Sequence, residues 1–181
     1  WRDVSLIKVA VPAMLQRIAD RAMQVFGAMG GSDDTPIHQA LAWGRHINDY
    51  RDSWEAVRRA DHPAVGVVLD TFHIFARKTD LQAIRSIPRD RIFLVQMADA
   101  PILDMDYLSW GRHYRNFPGQ GEFPLQDFMR ALLATGYEGL LSLEIFNDQF
   151  RAGSTRSVAI DGHRSLIYLL DQMHEAGRTQ A

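Results

Sequence analysis

Three short apolar runs, separated by helix-like segments, constrain the fold of this 181-residue chain more than any other feature. The runs cover residues 65–70, 92–96 and 139–145, and apolar side chains dominate each of them. Strands of a parallel sheet have this composition because helices cover both faces of the sheet. From residue 53 onward, helix-like segments alternate with the runs, which predicts parallel strands joined by right-handed crossovers. The chain is therefore predicted to be an α/β protein.

A doubly wound sheet and a (β/α)8 barrel both fit this alternation. No glycine-rich phosphate loop follows any predicted strand, which gives the nucleotide-binding doubly wound sheet little support. A complete TIM barrel needs about 250 residues, so we expect a partial barrel with about strands 4–8, preceded by an N-terminal helical segment. The helices predicted from residue 53 onward cover residues 53–60, 80–87, 125–135 and 164–175, and a long polar and aromatic loop is predicted at 100–121.

Each predicted strand carries one oxygen-bearing side chain near its C-terminal end, namely Asp70, Gln96 and Glu144. Such groups are costly in apolar surroundings unless a partner compensates them. The C-terminal ends of barrel strands meet at one mouth, and hard divalent cations prefer oxygen ligands. The three residues therefore predict a metal site. Taken singly, Asp70 could instead cap the following turn, and Gln96 could bond to the backbone.

Candidate substrate-binding groups lie close to these ligands in the sequence. Asp70 and His73 form a D-x-x-H pattern, and we expect His73 to face the substrate as a base or as a hydrogen-bond donor, unless it is merely packed. Arg112, His113 and Arg115 cluster in the long loop. Because an arginine can hold a carboxylate through two parallel bonds, Arg112 and Arg115 are predicted to bind a carboxylated substrate. A solvated basic loop is the alternative, and His113 is expected to be structural or exposed.

Charge and composition narrow the possible partners. Twenty Lys and Arg against 22 Asp and Glu give a net charge of −2, which offers no signal for nucleic acid or for an anionic membrane. The absence of cysteine excludes disulfides and thiolate ligands and fits a reducing cytoplasm. The sequence contains no run of about 18 apolar residues, so no membrane-spanning helix is predicted. An incomplete barrel would leave open sheet edges, so an oligomer that covers them is expected.

Five segments together resemble bacterial 3-dehydroshikimate dehydratase, a family of xylose isomerase-like TIM barrels within the sugar phosphate isomerase/epimerase superfamily. They are residues 40–46, 69–73, 96–101, 112–121 and 142–147, and the resemblance extends over about 40–175. Some members of this family carry a second domain that resembles 4-hydroxyphenylpyruvate dioxygenase.

The resemblance implies a divalent metal, Mg²⁺, Mn²⁺ or Co²⁺, held by Glu, Asp, Gln and Glu. Asp70, Gln96 and Glu144 match the last three of these ligands, and Gln39 stands where the first glutamate is expected. An amide is a neutral and weaker ligand for a hard cation, so we expect the affinity for the metal to be lower.

The activity that this resemblance implies is the loss of water from 3-dehydroshikimate to give protocatechuate. His73 matches the family's histidine and would take the proton next to the ketone, and Arg115 matches the arginine that meets the substrate carboxylate. We expect truncation and Gln39 to impair the reaction. A sugar phosphate isomerase or epimerase is the alternative enzyme, and a non-catalytic fusion remnant is the alternative of another class. The arginines of the loop favour an acidic substrate, and hence the dehydratase.

The N-terminal part of the chain resembles a different family, the C-terminal helical domain of acyl-CoA dehydrogenases. The segments that carry this resemblance are residues 7–8, 19–22, 24–28 and 33–36. We therefore predict two parts, a helical segment over 1–43 and a partial barrel over 44–181. The first part lacks the β-domain and the catalytic base of that family, so we expect no FAD.

Overall fold

The computed structural model describes residues 42–44 and 47–179. Its centre is a three-stranded parallel sheet in the spatial order β1 (Val67–Asp70), β2 (Ile92–Met97) and β3 (Leu141–Leu143). The three predicted strands and their parallel pairing are thus confirmed. Strands that follow one another in the chain also lie side by side, as they do in the wall of a barrel.

The register of the sheet aligns the predicted ligands. Asp70 of β1 pairs with Gln96 of β2, and Gln96 pairs with Ser142 of β3. Glu144 follows β3 directly, and its N–H donates to the carbonyl of Met97 at 3.2 Å. All three candidate ligands therefore lie at the same edge of the sheet, the edge formed by the C-terminal ends of the strands.

Six α-helices flank the sheet in the described part of the chain. They are α1 (Tyr50–Ala60), α2 (Thr71–Ala76), α3 (Tyr107–His113), α4 (Leu125–Leu133), α5 (Asp148–Ala152) and α6 (Thr155–Thr179). The predicted helices at 53–60, 125–135 and 164–175 correspond to α1, α4 and α6.

Two of the local predictions were wrong. The segment predicted as an α-helix at 80–87 forms a short 3₁₀-helix, Gln82–Ser86. The loop predicted at 100–121 contains α3, which begins after Asp106 because the side chain of that residue accepts the N–H of Ser109 at 2.8 Å. A cap of this kind stabilises a helix that is too short to show a clear apolar period.

The hydrophobic core lies between the sheet and helices α2 and α4. Leu69 of β1, Val95 of β2, Phe72 of α2 and Phe128 of α4 are completely buried. Leu140, directly before β3, is by contrast 84% exposed. Within the described residues, no helix combines the length and the apolar character needed to cross a membrane. The predicted N-terminal helical segment, apart from residues 42 and 43, and Gln39 lie outside the described residues.

Candidate metal and substrate site

Asp70, Gln96 and Glu144 form one connected cluster at the C-terminal edge of the sheet. The Nε2 of Gln96 donates to Oε1 of Glu144 at 3.0 Å. The carboxylates of Asp70 and Glu144 also lie close enough for the charge of one to act on the other. Asp70 is buried, whereas the side chain of Glu144 is 29% exposed. The cluster thus extends from the interior toward solvent through Glu144.

Asp70 serves two purposes in this cluster. Its Oδ1 accepts the N–H of Phe72 at 2.8 Å and of His73 at 3.4 Å, which caps α2. Its Oδ2 points instead toward the other side chains of the cluster, where it meets Arg115 at 3.1 Å. The capping alternative from the sequence and the site role are therefore compatible, since they use different oxygens.

Arg115 lies inside the cluster and is only 1% exposed. Its Nη1 donates to Oε2 of Glu144 at 2.8 Å, and its Nε donates to the carbonyl of Gly111 at 2.9 Å. The rings of Phe72 and Phe146 lie 4.6 and 5.2 Å from the guanidinium carbon. In this arrangement the guanidinium neutralises the protein's own carboxylates.

The two carboxylates and the arginine influence one another's charge. Burial raises the pKa of Glu144 above its usual value, and the negative charge of Asp70 adds to this effect. The positive charge of Arg115 opposes it. Glu144 therefore holds a proton more readily than a free glutamate, unless further positive charge reaches the cluster.

His73 is a neutral imidazole in this environment. Burial, followed by the charge of Arg115, lowers the pKa of His73 to about 3. Its Nδ1 accepts the backbone N–H of Ala42 at 3.1 Å, so the proton of the neutral ring belongs on Nε2. Nε2 lies 3.8 Å from Oδ2 of Asp70. Of the two roles predicted for His73, this geometry favours the hydrogen-bond donor.

The donor set fits a hard divalent cation. Oε1 of Gln96 is buried and has no hydrogen-bond partner among the described residues, although such an acceptor is costly to bury alone. With one oxygen from Asp70 and one from Glu144, it makes three oxygen donors. In the described ranges, no group of three or more His, Asp or Glu side chains is placed to hold a metal, so the amide of Gln96 is needed to complete the set.

The other basic residues of the predicted loop lie outside this cluster. The side chain of Arg112 is exposed on α3, and its carbonyl accepts a hydrogen bond from Arg151 at 3.2 Å. His113 is exposed and lies 2.8 Å from Asp148, in agreement with the structural or exposed role expected for it. Arg115 is therefore the arginine of this loop that the structure brings to the candidate ligands.

Sequence reasoning missed two residues that hold Arg115 in place. Asp99 pairs with Asn116 through two backbone hydrogen bonds of 2.9 and 2.7 Å, which fixes the segment next to Arg115. The Nδ2 of Asn147 donates to the carbonyl of Arg115 at 3.1 Å, and its Oδ1 caps α5. Their spacing could have identified them in the sequence. Asp99 and Asn147 each lie three residues after a candidate ligand, as His73 does after Asp70.

Two family models match the chain, in agreement with both resemblances. The model described as xylose isomerase-like TIM barrel matches residues 36–168, and the acyl-CoA dehydrogenase C-terminal domain matches residues 2–48. The two matches overlap close to the boundary predicted at residue 43. They confirm the barrel fold and both resemblances, and the division into residues 1–43 and 44–181 stays a prediction.

Individual relatives agree with the family models. A protein named 3-dehydroshikimate dehydratase from Pseudomonas putida is 62% identical over 135 residues, which cover 75% of this chain and 21% of the relative. A solved structure titled xylose isomerase-like TIM barrel/4-hydroxyphenylpyruvate dioxygenase fusion protein has a TM-score of 0.74 and 59% identity, covering 78% of this chain and 23% of that chain.

A more distant structure shows the same fold. The IolI protein, solved with a bound zinc atom, has a TM-score of 0.64 and 21% identity, covering 70% of this chain and 45% of that chain. The chain spans about a fifth of the length of its Pseudomonas putida relative. By fold, sequence and the family model that covers most of its length, the chain belongs to the xylose isomerase-like TIM barrel family.

Proposed function

We propose that this chain carries a dehydratase site that removes water from 3-dehydroshikimate to give protocatechuate. The observation that carries the proposal is the convergence of Asp70, Gln96, Glu144, His73 and Arg115 in one cluster at the C-terminal edge of the sheet. The 62% identity to a relative named for this activity supports the same conclusion.

The metal in this proposal is a divalent ion held by Asp70, by Glu144 and by Oε1 of Gln96, which has no hydrogen-bond partner in the described part of the chain. When bound, such an ion supplies the positive charge that stabilises an oxyanion at the substrate ketone. The zinc atom in the IolI structure supports a divalent ion in general, and the oxygen-rich donor set favours Mg²⁺, Mn²⁺ or Co²⁺. Gln39 would be the fourth and weakest ligand.

His73 would act on the substrate through its Nε2–H. The ring is neutral and its Nδ1 is engaged by Ala42, so Nε2 can donate a hydrogen bond to a substrate oxygen. A neutral histidine that polarises a carbonyl in this way is a known catalytic device. The role as base, which the resemblance implies, would require the opposite tautomer and the loss of the bond from Ala42.

The overall reaction balances without an oxidant or reductant. The carbon next to the ketone loses a proton, and the electron pair of that C–H bond forms a carbon–carbon double bond. The hydroxyl on the following carbon leaves and departs as water with one proton. Tautomerisation then completes the aromatic ring. Arg115 is the candidate partner for the substrate carboxylate, because a guanidinium binds carboxylates through two parallel hydrogen bonds.

The test is an assay of the purified chain with 3-dehydroshikimate and Mn²⁺, Mg²⁺ or Co²⁺, in which protocatechuate is followed by its absorbance. We expect product from the native chain and from the Glu138→Gln variant, since the side chain of Glu138 is 86% exposed and precedes the N-terminal end of β3, whereas Glu144 follows the other end. We expect none from the Glu144→Gln variant. Absence of product from the native chain favours the fusion remnant, and conversion to a non-aromatic isomer favours the isomerase or epimerase.

Two further expectations belong to the same proposal. A cytoplasmic location is supported by the absence of cysteine. An oligomer that covers the open edge of the sheet is supported by Leu140, whose apolar side chain is exposed beside β3. Sedimentation equilibrium of the purified chain would test the second expectation, with a monomer as the contradicting result.

A further inference from the structure

The guanidinium of Arg115 occupies the position between two carboxylates where a cation is expected. Its Nη1 alone lies 3.1 Å from Oδ2 of Asp70, 2.8 Å from Oε2 of Glu144 and 3.2 Å from the carbonyl oxygen of Glu144. Two of these three oxygens belong to the charged donors of the proposed metal site. Because an arginine carries its charge at every physiological pH, the cluster always has an internal cation.

A metal ion and this guanidinium compete for the same two negative charges. Each carboxylate oxygen keeps a second lone pair, but two positive charges at contact distance repel strongly where water is largely excluded. The charges of Asp70 and Glu144 sum to two negative, so Arg115 plus a divalent ion leaves one positive charge in excess. Gln39, which the resemblance assigns to the remaining ligand position, is neutral and would not offset this excess.

We infer that Arg115 and a divalent ion occupy the Asp70–Glu144 pair in alternation, so that metal binding releases the guanidinium to hold the carboxylate of a substrate. The inference rests on the proposed function and adds an order to it, with the metal first and the substrate second. The excess positive charge of the metal-loaded cluster matches the single negative charge of a monocarboxylate. Metal and carboxylate ligand should therefore bind with positive cooperativity.

The surroundings of Arg115 allow this exchange. Its Nη2 faces Nε2 of His73 at 3.3 Å, and a ring protonated at Nε2 cannot accept a hydrogen bond from it. The aromatic rings of Phe72 and Phe146 hold the guanidinium carbon through nonpolar and cation–π contacts that do not use its N–H groups. The Nη groups can thus change acceptors without loss of these contacts.

The test measures binding rather than turnover. Mn²⁺ is titrated calorimetrically into the native chain, the Arg115→Met variant and, as a matched control, the Arg112→Met variant, which alters an exposed arginine of the same loop. We expect Arg115→Met to bind Mn²⁺ at least about tenfold more tightly than the native chain and Arg112→Met to bind it equally. Equal or weaker binding by a folded Arg115→Met variant would overturn the inference.

Benzoate, an unreactive monocarboxylate, tests the cooperativity. Saturating Mn²⁺ should raise the affinity of the native chain for benzoate by at least about fivefold, and this gain should vanish in Arg115→Met. An affinity for benzoate that does not respond to Mn²⁺ in the native chain contradicts the proposed order.

A measurement on the native chain covers the case in which Arg115→Met fails to fold. The Nε–H resonance of Arg115 is assigned with the help of Arg115→Lys and followed by NMR during titration with diamagnetic Mg²⁺. A shift at saturation is expected, and an unchanged resonance refutes the exchange.

If Glu144→Gln abolishes metal binding while Arg115→Met leaves it unaltered, this inference fails and the proposed metal site stands. If the native chain binds no metal, both fail.

Discussion

Asp99 offers the clearest quantitative prediction because one buried carboxylate organises an entire loop. It is 1% exposed, and its two oxygens accept four backbone N–H groups. Oδ1 accepts from Ala100 at 2.8 Å and from Phe123 at 3.0 Å. Oδ2 accepts from Gly119 and Gly121, both at 3.0 Å. Three of these donors, Gly119, Gly121 and Phe123, lie in the segment that follows Arg115, so Asp99 also supports the candidate site.

The substitution Asp99→Asn removes one of the two acceptor oxygens and replaces it with an NH₂ donor of nearly the same size. Two backbone N–H groups would then face a donor, and each lost bond to a charged acceptor is worth about 1.5–3 kcal/mol. We therefore expect the free energy of unfolding to fall by about 3–6 kcal/mol, a large part of the 5–15 kcal/mol that is typical of a folded domain.

Urea unfolding followed by circular dichroism measures this change, with Asp104→Asn as the control. Asp104 is an exposed aspartate of the same loop region, so its substitution should alter the unfolding free energy by less than about 0.5 kcal/mol. A loss of under about 1 kcal/mol for Asp99→Asn would show that the four hydrogen bonds do not hold the loop, and the argument from burial would be wrong.

Two further predictions concern stability. A Cβ on Gly121 would lie 2.3 Å from Oδ1 of Asp99, so Gly121→Ala should lower the free energy of unfolding in urea by about 3 kcal/mol. The control is Gly153→Ala, which should be nearly neutral because a Cβ on Gly153 would meet no atom closer than 3.4 Å. The Tyr50 hydroxyl donates to the carbonyl of Asp80 at 2.5 Å, and burial raises the pKa of Tyr50 to about 12. Below pH 10 this phenol is protonated in both states, and as the pH rises toward 12 only the unfolded state loses the proton. The native chain should therefore lose up to about 2–3 kcal/mol of stability relative to Tyr50→Phe over this pH range. Parallel pH dependences of the two proteins in thermal unfolding would refute this assignment.

The sequence predicted the sheet well because buried parallel strands leave a strong local signal. Residues 65–70 and 92–96 are apolar on both faces, and β1 and β2 fall within one or two residues of these runs. The shortest helices were missed for the opposite reason. Helix α2 depends on a cap from Asp70, and α5 on a cap from Asn147, rather than on a long amphipathic repeat.

The candidate site was predictable in part. Strand ends identified Asp70, Gln96 and Glu144, because parallel strands bring their C-terminal ends to one edge whatever the details of packing. The position of Arg115 was not predictable, since it depends on Asp99, Asn147 and the rings that flank the guanidinium. Such long-range contacts leave no periodic pattern in the sequence, and only the folded chain shows that this arginine lies between Asp70 and Glu144.

Thermal unfolding with and without Mn²⁺, for the native chain and for the Glu144→Gln and Glu138→Gln variants, tests the metal site most directly. An ion that binds only the folded state at about 100 times its Kd adds about 2.7 kcal/mol of stability. The account predicts a higher Tm with Mn²⁺ for the native chain and for Glu138→Gln, and no change for Glu144→Gln. An equal rise in Tm for Glu144→Gln would place the ion elsewhere and contradict the account.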